Sequence, residues 1–151
     1  ALASPFRCVT RLWVPPPWLD GTVKHSSRAY SRLAVLDAEV EEVIWIDEAG
    51  FLLEGTRSNI FGVMGGALRT PAIDGRLLAG VTRAAIIDVA IDLGVPVLIQ
   101  PMHQEDKFDE LYVCSTLKEL TPIDEMNGQP APAGGPVGAK ILSAFRDQMR
   151  R

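Results

Sequence analysis

Long apolar runs are missing from this sequence: no stretch approaches the length of a bilayer-spanning helix. Basic excess is missing too. Fifteen Lys and Arg stand against nineteen Asp and Glu, a net charge of −4, and no Lys/Arg cluster stands out, which argues against a nucleic-acid or anionic-membrane partner. Only two cysteines occur, Cys8 and Cys114, far apart and without metal-type spacing. They read as reduced, intracellular thiols, and so point to a cytoplasmic protein. The two histidines, His25 and His103, have no cysteine or carboxylate at ligand spacing, so no zinc site is expected. The first residues lack the charged-then-apolar order of a secretory leader. There is no internal repeat, and low complexity is confined to the loop GQPAPAGGPVG.

What remains is ordinary in bulk: 151 residues, 47% apolar and 23% charged, enough for one domain with a proper core. The chain enters the apolar run FRCVTRLWV almost at once. That is expected either of a domain that begins on a strand or of the later part of a longer protein.

Periodicity predicts mixed α and β structure with strands in the majority. A strand is expected at residues 6–14, stopped by Pro15, Pro16 and Pro17, whose ring-fixed backbones cannot donate to a ladder. Helical spacing runs over residues 26–38, with Ser26 or Ser27 as a cap. Residues 43–46 and 51–54 flank a turn at 47–50 and read as a hairpin. Further strands are expected at 58–64, 67–70, 95–99, 110–114 and 120–125, the last followed by an Asn127-Gly128 turn. A helix opens near LLAGVTR and runs to Leu93, where Gly94 ends it. One helical turn is expected at 104–109, and a C-terminal amphipathic helix presents Ile141, Leu142 and Phe145.

Four stretches carry groups capable of chemistry. In VKHSSRAY, Lys24 precedes the first helix with His25 beside it and Arg28 a turn on. Cationic neighbours or an apolar pocket turn such a lysine into a usable amine nucleophile, although most lysines are simply solvated. In LLEGTRSNIFGV, Glu54 follows two leucines. A carboxylate there is costly unless a cation or an N–H meets it, and a protonated ring nitrogen is one such partner. In LLAGVTR, Gly80 leads into a helix whose first N–H groups belong to Val81 and Thr82, an arrangement suited to phosphate and equally to a Thr-capped helix. In YVCSTLKELTPI, a strand ends in Ser115 and Thr116, whose hydroxyls could meet an anion or could close an ordinary turn. GGPVGAK fails as a phosphate-binding P-loop, because Ala139 stands where glycine is needed and Ile141 where a hydroxyl is needed.

The order of these stretches resembles the class IV (fold-type IV) pyridoxal-phosphate-dependent aminotransferases. That family includes branched-chain and D-amino acid aminotransferases and aminodeoxychorismate lyase. The run E-G-T-x-S-N-I-F, then T-P, then G-V-T-R, then C-S-T-L-K-E-L-T-P-I carries the resemblance, from about residue 23 to 123. It implies a mixed α/β fold, a strand-rich pseudo-barrel flanked by helices, and the cofactor pyridoxal 5'-phosphate. It makes Lys24 the residue that carries the cofactor as a Schiff base and moves protons. Glu54 becomes the acid on the pyridine nitrogen, Val81 and Thr82 the pair at the phosphate, and Thr116 a further contact to phosphate or substrate carboxylate, with Arg28 near the cofactor.

The reaction implied is transamination between an amino acid and a 2-oxo acid, in a homodimer. The lyase reaction, pyruvate elimination giving 4-aminobenzoate, stays open, because K-H-x-x-R looks more like the lyase branch and G-V-T more like the transaminases. Ala29 also stands where some members place a tyrosine, with Tyr30 following. The family's small N-terminal domain has no counterpart here, so the expectation is the large domain alone: a fragment, a proteolysed product or one chain of a two-chain assembly. Such a domain could be catalytically silent by itself.

Overall fold

In the computed structural model, which describes residues 3–24 and 26–150, nine strands and three helices follow in the order β1 (Phe6–Leu12), α1 (Ala29–Ala38), β2 (Glu42–Ile46), β3 (Leu52–Gly55), β4 (Asn59–Met64), β5 (Ala67–Thr70), α2 (Val81–Asp92), β6 (Val97–Ile99), β7 (Glu110–Ser115), β8 (Glu119–Met126), β9 (Gln129–Pro130) and α3 (Pro136–Met149). The sheet runs β3-β2-β1-β8-β7-β4, and a further pairing of β3 with β4 closes those six strands on themselves. The strand-rich pseudo-barrel is therefore present. Closure removes the free edges that six paired strands would otherwise present. β5 and β6 extend the sheet beyond β4, and β9 pairs with β8.

Alternation along the strands builds two cores. Cys8, Ile44, Leu52, Ile60, Leu111, Val113 and Ile123 come from all six barrel strands and pack together with Met102. Their neighbours in sequence point the other way: Phe61, Val63, Tyr112 and Cys114 meet Ile86, Val89 and Ala90 of α2 and Ile141, Leu142 and Phe145 of α3. A fully buried side chain of this size stabilises by about 2 kcal/mol. Two helices thus cover one outer face of the barrel, and α1 packs on β2, where Trp13, Tyr30 and Trp45 form a ring cluster.

The C-terminal helix is anchored by polar groups as well. Buried Glu110 accepts hydrogen bonds from the amides of Val137 (2.9 Å) and Gly138 (2.8 Å) and from the hydroxyl of Tyr112 (2.6 Å). A carboxylate at a helix N-terminus satisfies orphan amides and opposes the positive end of the dipole.

Several expected boundaries shift. β1 ends at Leu12, ahead of the prolines. α1 begins at Ala29 after Arg28, with no side-chain cap, so neither Ser26 nor Ser27 serves as one. β6 begins at Val97, because the amide of Val95 bonds to the carbonyl of Ala90 and serves the end of α2. No helical turn forms at 104–109. Instead the Asp106 carboxylate accepts the amide of His103 at 2.9 Å and closes an isolated turn. Asn127 and Gly128 both take positive φ and return the chain as β9, the hairpin geometry expected of that pair. Cys8 and Cys114 are buried and free. Among the described residues, no helix is long and apolar enough to cross a membrane, and no metal-binding group of three ligands occurs. His25 lies outside the described residues.

Candidate active site

Strand alternation alone would turn Glu54 inward, on the face of Leu52. The β2–β3 pairing prevents this. Ile46 pairs with Leu52 but Ile44 pairs with Gly55, so β3 spends one residue more than β2 over the same length. This bulge brings Gly55 to the inner face and turns Glu54 outward, beside its β4 partner Asn59. Both side chains grip the segment that leads into α2. The Glu54 carboxylate accepts the amide of Leu78 at 3.0 Å, and Asn59 donates to the carbonyl of Leu78 at 2.8 Å.

Two residues further on, Gly80 is the N-cap of α2 in extended conformation. No side-chain cap and no acidic residue occupy the first turn. The first intrahelical bond runs from Ala84 to Gly80, which leaves the amides of Val81 and Thr82 ahead of the ladder. Thr82 is buried, and its hydroxyl lies 3.4 Å from that of Thr116 in the turn after β7. Ser115 closes that turn, its hydroxyl accepting from the amide of Lys118 at 3.3 Å. Two hydroxyls and a helix N-terminus thus converge on one spot, an arrangement that favours an anion.

Gly80 is required by close approach, since a Cβ there would run into Oδ1 of Asn59. Gly80→Ala is expected to push Asn59 off Leu78 and cost about 1–3 kcal/mol of stability, as an overpacked site does. A thermal melt and the loss of Leu78 carbonyl pairing, read by NMR, check this.

The electrostatics centre on Glu54. Burial pushes its carboxyl up to about 7, while the Leu78 amide and the Arg28 charge pull it down and Glu42 pushes it further up. With no ion-pair partner among the described residues, the carboxyl is poised near pH 7 chiefly by burial. Arg28, at the start of α1, acts on it at longer range. Arg83, the residue after Thr82, is buried and donates to the carbonyl of Pro71 at 2.9 Å.

Of the residues expected from sequence, the structure thus brings together Glu54, Arg28 through its charge, and Val81, Thr82 and Thr116. Lys24 stands apart. It is exposed in the segment before α1 and makes no hydrogen bond or ion pair with any described residue. Asn59 and Leu78 were missed. The only signal for Asn59 was a polar side chain opening an apolar strand, and nothing local marked Leu78.

A model of the amino-transferase class IV family matches residues 4–126. The branched-chain-amino-acid aminotransferase of Escherichia coli strain K12 is 37% identical over 109 residues, covering 70% of this chain and 35% of its own length. That of Pseudomonas aeruginosa is 32% identical over 131 residues, covering 81% of this chain and 42% of its own length. Among solved structures, a T.th. branched-chain amino acid aminotransferase complexed with N-(5'-phosphopyridoxyl)-L-glutamate superposes with a TM-score of 0.86 at 26% identity, over 97% of this chain and 53% of that one. An Escherichia coli branched-chain amino acid aminotransferase gives 0.83 at 30% identity, over 94% and 52%. The chain spans about half or less of the length of these relatives. With the family model matching most of its residues and the barrel shared with these structures, the chain belongs to the class IV amino-transferase family.

Proposed function

We propose that this chain is the cofactor-binding large domain of a pyridoxal-phosphate-dependent aminotransferase that exchanges an amino group between an aliphatic amino acid and a 2-oxo acid. The observation that carries the reading is Glu54: a carboxyl turned outward by a strand bulge, fixed by the Leu78 amide, and shifted to about 7 by burial. The donor set fits the cofactor. Glu54 offers an acid with no ion-pair partner among the described residues, and the Thr82–Thr116 pair with the open amides of α2 offers an anion cradle. Pyridoxal phosphate, when bound, supplies an electrophilic aldehyde and a ring that takes up the electron pair left at the substrate's α-carbon.

The chain's own residues do the rest. Glu54 holds a proton on the ring nitrogen, and its orientation is kept by Leu78. The N-terminus of α2, with Thr82 and Thr116, binds the phosphate, and Arg28 adds positive charge near Glu54. Lys24 would hold the cofactor through its side-chain amine and, as a free amine, would move the proton at the substrate's α-carbon. Its exposure, without a partner among the described residues, leaves the amine available for that role. The length of the relatives supports a further, smaller domain completing the substrate pocket. Exposed Val14, Trp18 and Leu33 support assembly as a homodimer, and the two free buried thiols support a cytoplasmic setting.

The relatives' names favour transamination over pyruvate elimination. The test is turnover of the intact protein with pyridoxal phosphate, leucine and 2-oxoglutarate. Glutamate formation that depends on both substrates is expected. Pyruvate release from aminodeoxychorismate with no added 2-oxo acid would give the lyase instead.

A further inference from the structure

A fully buried carboxylate acts on half-buried Glu54 through its charge and has no part in the reaction described above. Glu42, at the start of β2, is 2% exposed, yet its side chain meets no cation among the described residues. Its partners are all in or next to the turn that joins β3 to β4, or on its own strand. Oε1 accepts the amide of Thr56 at 3.0 Å, the Thr56 hydroxyl, and the amide of Val43 at 3.1 Å. Oε2 accepts the Ser58 hydroxyl at 2.9 Å. Gly55 makes room for this, because a Cβ there would lie 2.9 Å from the Glu42 carboxylate and collide with the Ser58 hydroxyl. The amide of Gly55 bonds to the carbonyl of Ser58 at 2.7 Å, so the turn is tied both across itself and down onto Glu42.

The two residues that flank this turn, Glu54 and Asn59, are those that hold Leu78 by its amide and its carbonyl. Leu78 leads through Gly80 into the N-terminus of α2. Hydrogen bonds between Glu42 and the turn, the chain links from the turn to Glu54 and Asn59, and their bonds to Leu78 therefore connect Glu42 to both ends of the proposed cofactor site. Bonds to a carboxylate are shorter and stronger than neutral ones, and they fix a turn that backbone bonds alone would leave loose.

We propose that Glu42 is a positioning residue: by clamping the turn at residues 55–58 it sets the span between the acid that meets the cofactor ring and the cradle that meets its phosphate. This rests on the reading of the site given above. A ligand that reaches both ends needs both in place at once, so it feels an error in the span, whereas a ligand that reaches one end does not. That difference separates positioning from general support of the fold.

The experiment uses the intact protein, its Glu42→Gln variant and, as a milder second variant, Ser58→Ala. Two ligands are titrated: pyridoxamine 5'-phosphate, which reaches both ends without an aldehyde for Lys24, and inorganic phosphate, which reaches the cradle alone. Phosphate is followed through the amide resonances of Val81 and Thr82. Glu42→Gln is expected to weaken pyridoxamine phosphate about tenfold or more while phosphate changes by less than about twofold. Exchange of the Leu78 amide in the ligand-free protein is expected to quicken about tenfold, with α3 amides such as Ala139 unchanged. Ser58→Ala is expected to move the same readouts in the same direction by less, and it decides the matter if Glu42→Gln does not fold. Equal weakening of both ligands, or no change in either with Leu78 exchange unaltered, would overturn the proposal. If the unsubstituted protein binds phosphate but not pyridoxamine phosphate, the cofactor reading fails. The exchange of Leu78 then decides the clamp by itself, quickening supporting it and constancy overturning it.

Discussion

A Lys24→Ala variant of the intact protein is expected to lose 2-oxo-acid-dependent turnover by about 10³-fold or more. Two contributions disappear together in this account: the amine that bonds to the cofactor, and the base that moves the proton at the substrate's α-carbon. General acid–base catalysis alone accounts for about 10²- to 10⁴-fold in comparable sites. The variant should still fold, because Lys24 is exposed and makes no hydrogen bond or ion pair with a described residue. It should also still bind pyridoxamine phosphate, because the proposed ring and phosphate contacts are those of Glu54, Thr82 and Thr116. Steady-state kinetics together with a binding titration check both halves. Turnover within about tenfold of the parent would remove Lys24 from the mechanism.

The second large effect belongs to Glu54. Glu54→Gln keeps the shape and the bond from the Leu78 amide but removes the negative charge. Without that charge the ring nitrogen no longer keeps its proton, and turnover is expected to fall about 10²- to 10³-fold, the usual loss when one preorganised electrostatic partner is removed. The ligand-free protein carries an independent signature. Its Glu54 carboxyl is raised from 4.5 to about 7, so between those values the folded chain binds the proton more tightly than the unfolded one. The resulting stability is fully present below pH 4.5 and is lost as pH rises towards 7, about 3 kcal/mol in all at one unit per 1.36 kcal/mol. Chemical denaturation across pH 4 to 8 should show that decline in the parent and a flatter profile in Glu54→Gln. A parent profile without the decline would mean that burial costs Glu54 little, and the argument for a missing cation would lapse.

Both variants concern residues that the sequence exposed through local pattern. Glu54 stood out because two leucines and an apolar strand surround it, and the helix opening at Gly80 was visible from glycine, hydroxyl and periodicity together. Non-local pairing was hidden. Nothing in the hairpin pattern of β2 and β3 reveals the extra residue that turns Glu54 outward, because a bulge is a property of two strands in register. The closure of the barrel through β1, paired in parallel with both β2 and β8, is equally invisible in any single stretch. Glu42 shows the same limit at one residue. It follows another glutamate and stands just ahead of the strand expected at 43–46. It is buried because its partners, Thr56 and Ser58, arrive fourteen and sixteen residues later. Asn59, too, is explained only by Leu78, nineteen residues on.

The helix boundaries differed for a related reason. Ser26 and Ser27 are sound capping residues by composition, yet α1 starts at Ala29, where packing of Tyr30 against Trp13 and Trp45 begins. Tertiary contact with β2 outweighs the cap. The turn at 104–109 differs too: the Asp106 carboxylate accepts the amide of His103 and the chain continues as an isolated turn.

The most direct measurement of the central claim is borohydride reduction of the intact protein after incubation with pyridoxal phosphate, followed by peptide mapping. The sequence holds four lysines, Lys24, Lys107, Lys118 and Lys140. A stable phosphopyridoxyl group is expected on the peptide containing Lys24 and on no other. An adduct on Lys107, Lys118 or Lys140 instead, or no adduct at all, would contradict this expectation.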